Sequence, residues 1–276
     1  MNAIEIRNLS KSFRGMYAVD HLNMTVPQGA IYGFIGENGS GKSTTEKLIC
    51  GHLVPDCGEI KLFGKDYTDP GVRVRVGALI ENAGCFPGSS VYQNLMMQCI
   101  NLGIENADEE IRRVLEIVRM DDNANLKFKK CSLGMKQRIG IPMALLGDPE
   151  IIILDEPTAV LTVQEVTKLF NILRKMKDEG HSIIIITHKL HEVLSISERV
   201  SVLRKGEHIA TVETATTNES ELTEMMVGEK IDLNINRTEP VDSKLRLSVS
   251  NLTVYETICS GSFSSTFLSD NNSVET

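Results

Sequence analysis

The sequence predicts an α/β fold: a parallel sheet with a phosphate-binding loop between one strand and the next helix. Three observations predict it. The segment Gly36-Glu37-Asn38-Gly39-Ser40-Gly41-Lys42-Ser43-Thr44 fits the pattern G-x-x-x-x-G-K-[ST], with a strand-like run before it (Ala30 to Ile35) and a helix-like run after it (Ser43 to Cys50). Ile151 to Leu154 is a continuous apolar run that ends in Asp155-Glu156-Pro157, as suits a strand buried on both faces of a parallel sheet. Strand and helix patterns alternate along the chain, interrupted by a helical stretch between roughly Ser90 and Leu146.

Element by element, Ala3 to Leu9 alternates like a strand and His21 to Val26 reads similarly. Glu59 to Phe63 and Val76 to Ile80 are two further short strands. The helical stretch opens at Val91, continues through Ile111 to Val118 and closes with Met135 to Leu146. Val163 to Glu179 is an amphipathic helix, capped by Gly180. Ser182 to Thr187 is a second buried strand. Val200 to Leu203 and His208 to Val212 form a hairpin, and Glu219 to Val227 is a closing helix.

The chemistry of the loop explains its residue types. Its glycines let successive N–H groups turn inward, and the following helix adds its positive end. Lys42 is placed to reach the terminal phosphates of a nucleoside triphosphate, and the Ser43 hydroxyl to ligate Mg2+. Asp155 would hold the same ion through water, while Glu156 would polarise an attacking water. Thr187-His188 ends the neighbouring buried strand, where the imidazole would contact the γ-phosphate and hold that water in line.

Composition narrows the rest. The chain has 276 residues, room for one large α/β domain with a small appendage, and a hydrophobic share of 41% that suffices for a core. A formal charge of −8 argues against a general nucleic-acid binder, because phosphate contacts would require Lys and Arg. Six cysteines show no C-x-x-C pairing, as expected of buried thiols in a reducing compartment. The sequence has neither a signal peptide at its start nor an apolar run of about 18 residues, so a cytoplasmic protein that meets the membrane through a partner is expected.

Cys131-Ser132-Leu133-Gly134-Met135-Lys136-Gln137-Arg138 resembles the L-S-G-G-Q signature of ATP-binding cassette (ABC) proteins. The resemblance covers about Ala3 to Gly228. It implies a P-loop NTPase core with an antiparallel β subdomain and a helical subdomain, the latter at about residues 82–146. It also implies an ATPase using ATP and Mg2+. Cassettes of this family sandwich two nucleotides head to tail, so Ser132 and Gly134 would grip the ATP of the opposite cassette. The partners implied are a second copy or second cassette, and integral-membrane permease subunits that place the protein on the inner face of the membrane. Phe13 matches the aromatic that stacks on adenine.

Glu81 stands where most cassettes carry a Gln that touches Mg2+ and the permease. Together with Tyr32-Gly33-Phe34-Ile35-Gly36 and Gly77 to Asn82, it resembles exporters of bacitracin-like and lantibiotic peptides. The stretch after Pro157, with Thr187-His188-Lys189-Leu190 and Met225-Met226-Val227-Gly228, resembles tandem-cassette importers of sugars and nucleosides instead. Because the permease would meet the exporter-like half, peptide-antibiotic export or immunity is the favoured expectation. Sugar or nucleoside import, or a soluble cassette ATPase without a permease, is the alternative.

Three residues depart from the pattern. Glu46 puts a charge where the first helix usually buries an apolar side chain. Thr162 replaces an Asp that couples the two ATP sites. Pro142 falls inside a helix, where a proline costs about 3 kcal/mol. Residues 1–228 are therefore expected to form the cassette and 229–244 a linker. Leu245 to Thr253 echoes the opening strand but leads into a Ser/Thr-rich end, so residues 245–276 are expected to be a largely disordered stub of a second cassette.

Overall fold

The structure is a computed structural model and describes residues 1–80 and 84–229. In chain order its strands are β1 (Asn2–Phe13), β2 (Met16–Pro27), β3 (Ile31–Gly36), β4 (Cys57–Leu62), β5 (Lys65–Asp66), β6 (Val76–Leu79), β7 (Ile151–Asp155), β8 (Ser182–Ile186), β9 (Arg199–Arg204) and β10 (Glu207–Glu213). The helices are α1 (Lys42–Ile49), α2 (Pro70–Arg73), α3 (Val91–Leu102), α4 (Ala107–Ile117), α5 (Leu133–Leu145), α6 (Val163–Asp178), α7 (Leu190–Ile196) and α8 (Glu219–Val227).

The strands follow one another in the order β5-β4-β1-β2-β10-β9-β3-β8-β7-β6. From β9 to β6 all pairs are parallel, whereas β1, β2, β4 and β5 pair antiparallel. The two regions meet at a single parallel pair, Glu207 with Asp20. This is the predicted division into a parallel core and an antiparallel β subdomain.

The central strands are apolar throughout because both of their faces are covered. Ile152 and Leu154 of β7 and Ile183 and Ile185 of β8 point into a cluster shared with α3, α4, α5 and α6. Their neighbours Ile151, Ile153, Ile184 and Ile186 point the other way, into a cluster with Ile4, Leu22, Leu48 and Ile60. Side-chain alternation thus sends successive residues to opposite layers, which a run of isoleucines satisfies. A third cluster packs α7 and α8 on β3 and β9 through Val193, Leu222, Ile35 and Val202.

Turns and caps follow local chemistry. Lys205-Gly206 joins the predicted hairpin with φ of +50° and +88°, the left-handed pair a two-residue turn needs. Gly180 follows α6 with φ +103° and closes it as expected. Thr162 is the N-cap of α6, and its hydroxyl and N–H exchange hydrogen bonds with Glu165 in a capping box. Pro142 does lie inside α5, which continues through it and closes with Leu146 N–H donating to the Pro142 carbonyl at 3.1 Å. Glu46 is fully buried on α1.

Some elements exceed the expectation. β1 runs on to Phe13, and β2 begins at Met16. Short α2, β5 and α7 have no strong periodicity, so the sequence pattern does not predict them. Residues 230–276, which hold the stub and all of the linker after residue 229, lie outside the described residues, as does Glu81.

Candidate nucleotide-binding site

β3 is buried at every position and delivers the chain to the phosphate loop. Gly41 then turns with φ +106°, and a Cβ there would lie 2.1 Å from the Ala18 carbonyl oxygen, so only glycine fits. Gly206 N–H donates to the Ser40 carbonyl at 2.9 Å and anchors the loop to the β9–β10 turn. α1 starts at Lys42 with no side chain capping it, which leaves its first N–H groups directed at the loop.

Lys42 is 7% exposed and its Nζ donates to the carbonyls of Gly36 (2.8 Å) and Glu37 (2.9 Å). Burial holds its pKa below the ordinary lysine value, with the charges of Asp155 and Glu156 acting in the opposite direction. Ser43 Oγ donates to Asp155 Oδ2 at 3.0 Å, which brings the loop and the end of β7 together.

Glu156 follows with φ +48°, a left-handed conformation uncommon for a residue with a side chain, and its N–H donates to Ile186 O at 2.8 Å. Its carboxylate accepts the Thr187 hydroxyl on Oε2 (3.2 Å) and the His188 N–H on Oε1 (3.1 Å). His188 Nδ1 lies 2.7 Å from the same Oε1. A cleft of about 230 Å³ is lined by Ala18, Asn38, Gly39, Gly41, Lys42, Ser43, Thr44, Asp155 and Glu156. Gly36, Glu37 and Ser40 are not among the lining residues; their carbonyls accept from Lys42 Nζ and from Gly206 N–H.

The remaining expected residues lie elsewhere. Phe13 is at the end of β1, 45% exposed, with the Lys11 ammonium 5.6 Å above its ring, and it does not line the cleft. Ser132 caps α5, its Oγ accepting the Met135 N–H at 3.2 Å. A Cβ on Gly134 would meet only Val160, at 3.9 Å. Neither of these two lines the cleft of its own chain.

A second network has no signature in the sequence. Lys189 Nζ donates to the Thr158 carbonyl, the Thr158 hydroxyl and Glu192 Oε1, each at 3.1 Å. The Thr158 hydroxyl in turn donates to Glu192 Oε2. These bonds tie the segment after Glu156 to the segment after His188. Each member is an ordinary polar residue beside a motif, so no pattern marks it.

The residues fit a Mg2+–nucleotide ligand. Among the described residues no group of three or more His, Cys, Asp or Glu side chains could hold a metal alone. Ser43 and Asp155 instead offer a partial set, as suits an ion that takes its other oxygens from phosphates and water.

Fold and site together define an ATP-binding α/β cassette. A family model described as ABC transporter matches residues 19–159, and the chain belongs to that family. It is 35% identical over 271 residues to the glucose import ATP-binding protein TsgD13 of Haloferax volcanii, covering 85% of this chain and 49% of that protein. It is 31% identical over 262 residues to the nucleoside import ATP-binding protein NupA of Lactococcus lactis subsp. cremoris, covering 92% and 52% respectively. To the ribose import ATP-binding protein RbsA of Yersinia pestis the identity is 32%, over 91% and 51%. The chain thus spans about half the length of the curated relatives it matches. Among solved structures, the ATP-binding subunit of an ABC transporter superposes with a TM-score of 0.75 at 23% identity, covering 82% of this chain and 99% of that one. A dimeric bacterial ABC transporter cassette gives 0.71 at 24%, covering 76% and 98%. At these identities the likeness speaks for the fold.

Proposed function

We propose that this chain is the ATP-hydrolysing part of a transporter and drives a separate membrane permease that imports a sugar or nucleoside. One observation carries the ATPase reading: Lys42, Ser43, Asp155 and Glu156, from two distant motifs, line one cleft. In this reading Lys42 faces the terminal phosphates, and Ser43 and Asp155 hold Mg2+. That ion neutralises phosphate charge when bound. Glu156 takes a proton from the attacking water, and His188 holds the carboxylate in place. Glu81 would add a ligand and report to the permease.

The position of Ser132 and Gly134 outside their own cleft supports a sandwich, in which they serve the nucleotide of a second copy or second cassette. A groove of about 610 Å³, lined by residues that include Leu62, Arg73, Val76, Leu79, Ile80 and Gly84, is the surface proposed for the permease. No helix of the described residues is long and apolar enough to cross a membrane, so the proposed location is peripheral, at its inner face through that partner.

For the direction of transport we adopt the alternative expectation, import. The relatives named above are import proteins for glucose, nucleosides and ribose, which favours import over the peptide export expected from Glu81 and its neighbours. In this reading residues 1–228 remain the cassette and 229–244 a linker.

The test is purification from host membranes with identification of the co-isolated permease, then ATPase assay of the complex with its candidate cargoes. Stimulation by a sugar or nucleoside supports import. Stimulation by a peptide antibiotic alone would restore the export reading, and no Mg2+-dependent hydrolysis at all would defeat both.

A further inference from the structure

We propose that the cleft between β2 and β10 binds a small organic anion through Arg7 and Arg199. The cleft exists because these two strands share a single backbone pair. After Glu207 pairs with Asp20, β10 continues along β9 as far as the pair Glu213–Arg199, while β2 continues along β1. The space left where they part has a volume of about 410 Å³, within the range of about 300–1,000 Å³ usual for small-molecule sites.

Its lining has the character of a binding site. Met24 and Tyr32, both almost wholly buried, supply an apolar floor. Thr25 and Thr211 add hydroxyls, and Arg7 and Arg199 add two guanidinium groups. Among the described residues no carboxylate lines the cleft, although the chain as a whole carries a charge of −8. Thr211 is held in place: its Oγ1 lies 2.6 Å from Ser201 Oγ, which lies 2.6 Å from the Tyr32 hydroxyl, and His208 Nε2 is 2.9 Å from it.

An independent observation points to an anion. Arg199 Nε makes no hydrogen bond: its ion-pair partner Glu213 Oε1, at 3.9 Å, is beyond hydrogen-bond reach, and 40% of the Arg199 side chain is exposed. Arg7 uses one terminal nitrogen on Glu5 Oε2 at 3.2 Å, and the rest of its fork remains for a ligand. Two such forks match a carboxylate or phosphate head, and the apolar floor matches an organic body. The cleft shares no lining residue with the nucleotide cleft, yet Tyr32 belongs to β3, the strand that ends in the phosphate loop. This site is therefore separate from the ATPase chemistry and touches the element that positions it.

Calorimetric titration of the whole chain with benzoate and with phenyl phosphate tests the assignment, with excess ADP present to compete at the phosphate loop. Saturable one-to-one binding of either probe is expected. Binding of one and not the other identifies the head group. Arg199→Gln and Arg7→Gln should each weaken binding by at least about tenfold, as for loss of a charge-assisted hydrogen bond. The neutral analogue benzamide should not bind. Arg7 is well exposed, so its variant remains informative if Arg199→Gln fails to fold. No saturable binding of either probe, equal binding of benzamide, or binding that survives both substitutions would overturn the proposal.

Discussion

His188 approaches Glu156 twice, with Nδ1 2.7 Å and its backbone N–H 3.1 Å from the same Oε1. With the Thr187 hydroxyl on Oε2, the carboxylate at the end of β7 is held entirely by the end of β8. The left-handed φ of Glu156 is maintained by this grip and by its N–H bond to Ile186. A strained backbone held by surrounding bonds is what a positioned reactive group requires.

Glu156→Gln preserves shape and removes the proposed base. Nucleotide binding should persist while hydrolysis falls by a factor on the order of 10²–10⁴, the usual worth of a positioned general base. With the chemistry blocked, ATP should also accumulate a dimer. Phosphate release and light scattering in the presence of ATP measure the two effects. Undiminished turnover would move the role to another residue, and a monomer throughout would count against the sandwich.

Lys42→Ala should abolish useful ATP affinity, since each charge-assisted hydrogen bond lost from a buried cation is worth about 1.5–3 kcal/mol. The carbonyls of Gly36 and Glu37 would lose their shared donor as well, so a modest fall in melting temperature should accompany the loss. Calorimetric titration with Mg2+ and ATP, beside thermal melts, separates the effects. Equal affinity in variant and parent would remove Lys42 from the site.

The contrast between β7 and β1 explains what the sequence revealed. A run of apolar residues in β7 and β8 has one reading, because both faces are covered. β1 breaks alternation at Arg7-Asn8, both exposed, and its register with β2 shifts between Asn2 and Ile4, Ile6 and Leu9, Leu9 and Lys11, and Lys11 and Ser12. Irregular pairing breaks the two-residue period that sequence reading relies on. The site divides the same way. Lys42, Ser43 and Asp155 carry recognisable spacing, whereas the bonds from Thr187 to Glu156 and from Lys189 to Thr158 exist only because two distant strand ends lie side by side.

Gly77 shows another constraint that no local pattern reveals. α5 lies so close to β6 that a Cβ on Gly77 would sit 1.9 Å from the Ala144 carbonyl oxygen. That contact is with backbone and cannot be relieved by a rotamer change. Gly77→Ala should therefore destabilise the protein by about 1–3 kcal/mol, the usual cost of overpacking, and push α5 outward. Chemical denaturation measures the loss. A parent-like midpoint would mean that α5 stands further from β6.

Asp56 supplies a prediction in pH. Its carboxylate accepts Lys11 Nζ, Ser12 N–H and Ser12 Oγ, each at 2.7 Å, and so pins the irregular end of β1 to the start of β4. The hydrogen bond from Lys11 first, then those from Ser12, hold its pKa down at about 2, below the ordinary 3.8. Because the folded value is the lower one, the contribution to stability is fully present above the unfolded value and is lost as pH falls from about 4 towards 2. Asp56→Asn should flatten the pH dependence of stability in that window and leave the neutral-side profile parallel to the parent. Carboxyl NMR titration gives the midpoint directly, and denaturation at stepped pH gives the linkage. A midpoint near the ordinary aspartate value, with parallel curves down to pH 2, would show that these three bonds do not hold the charge in solution and that β1 is anchored past its register shifts by other contacts.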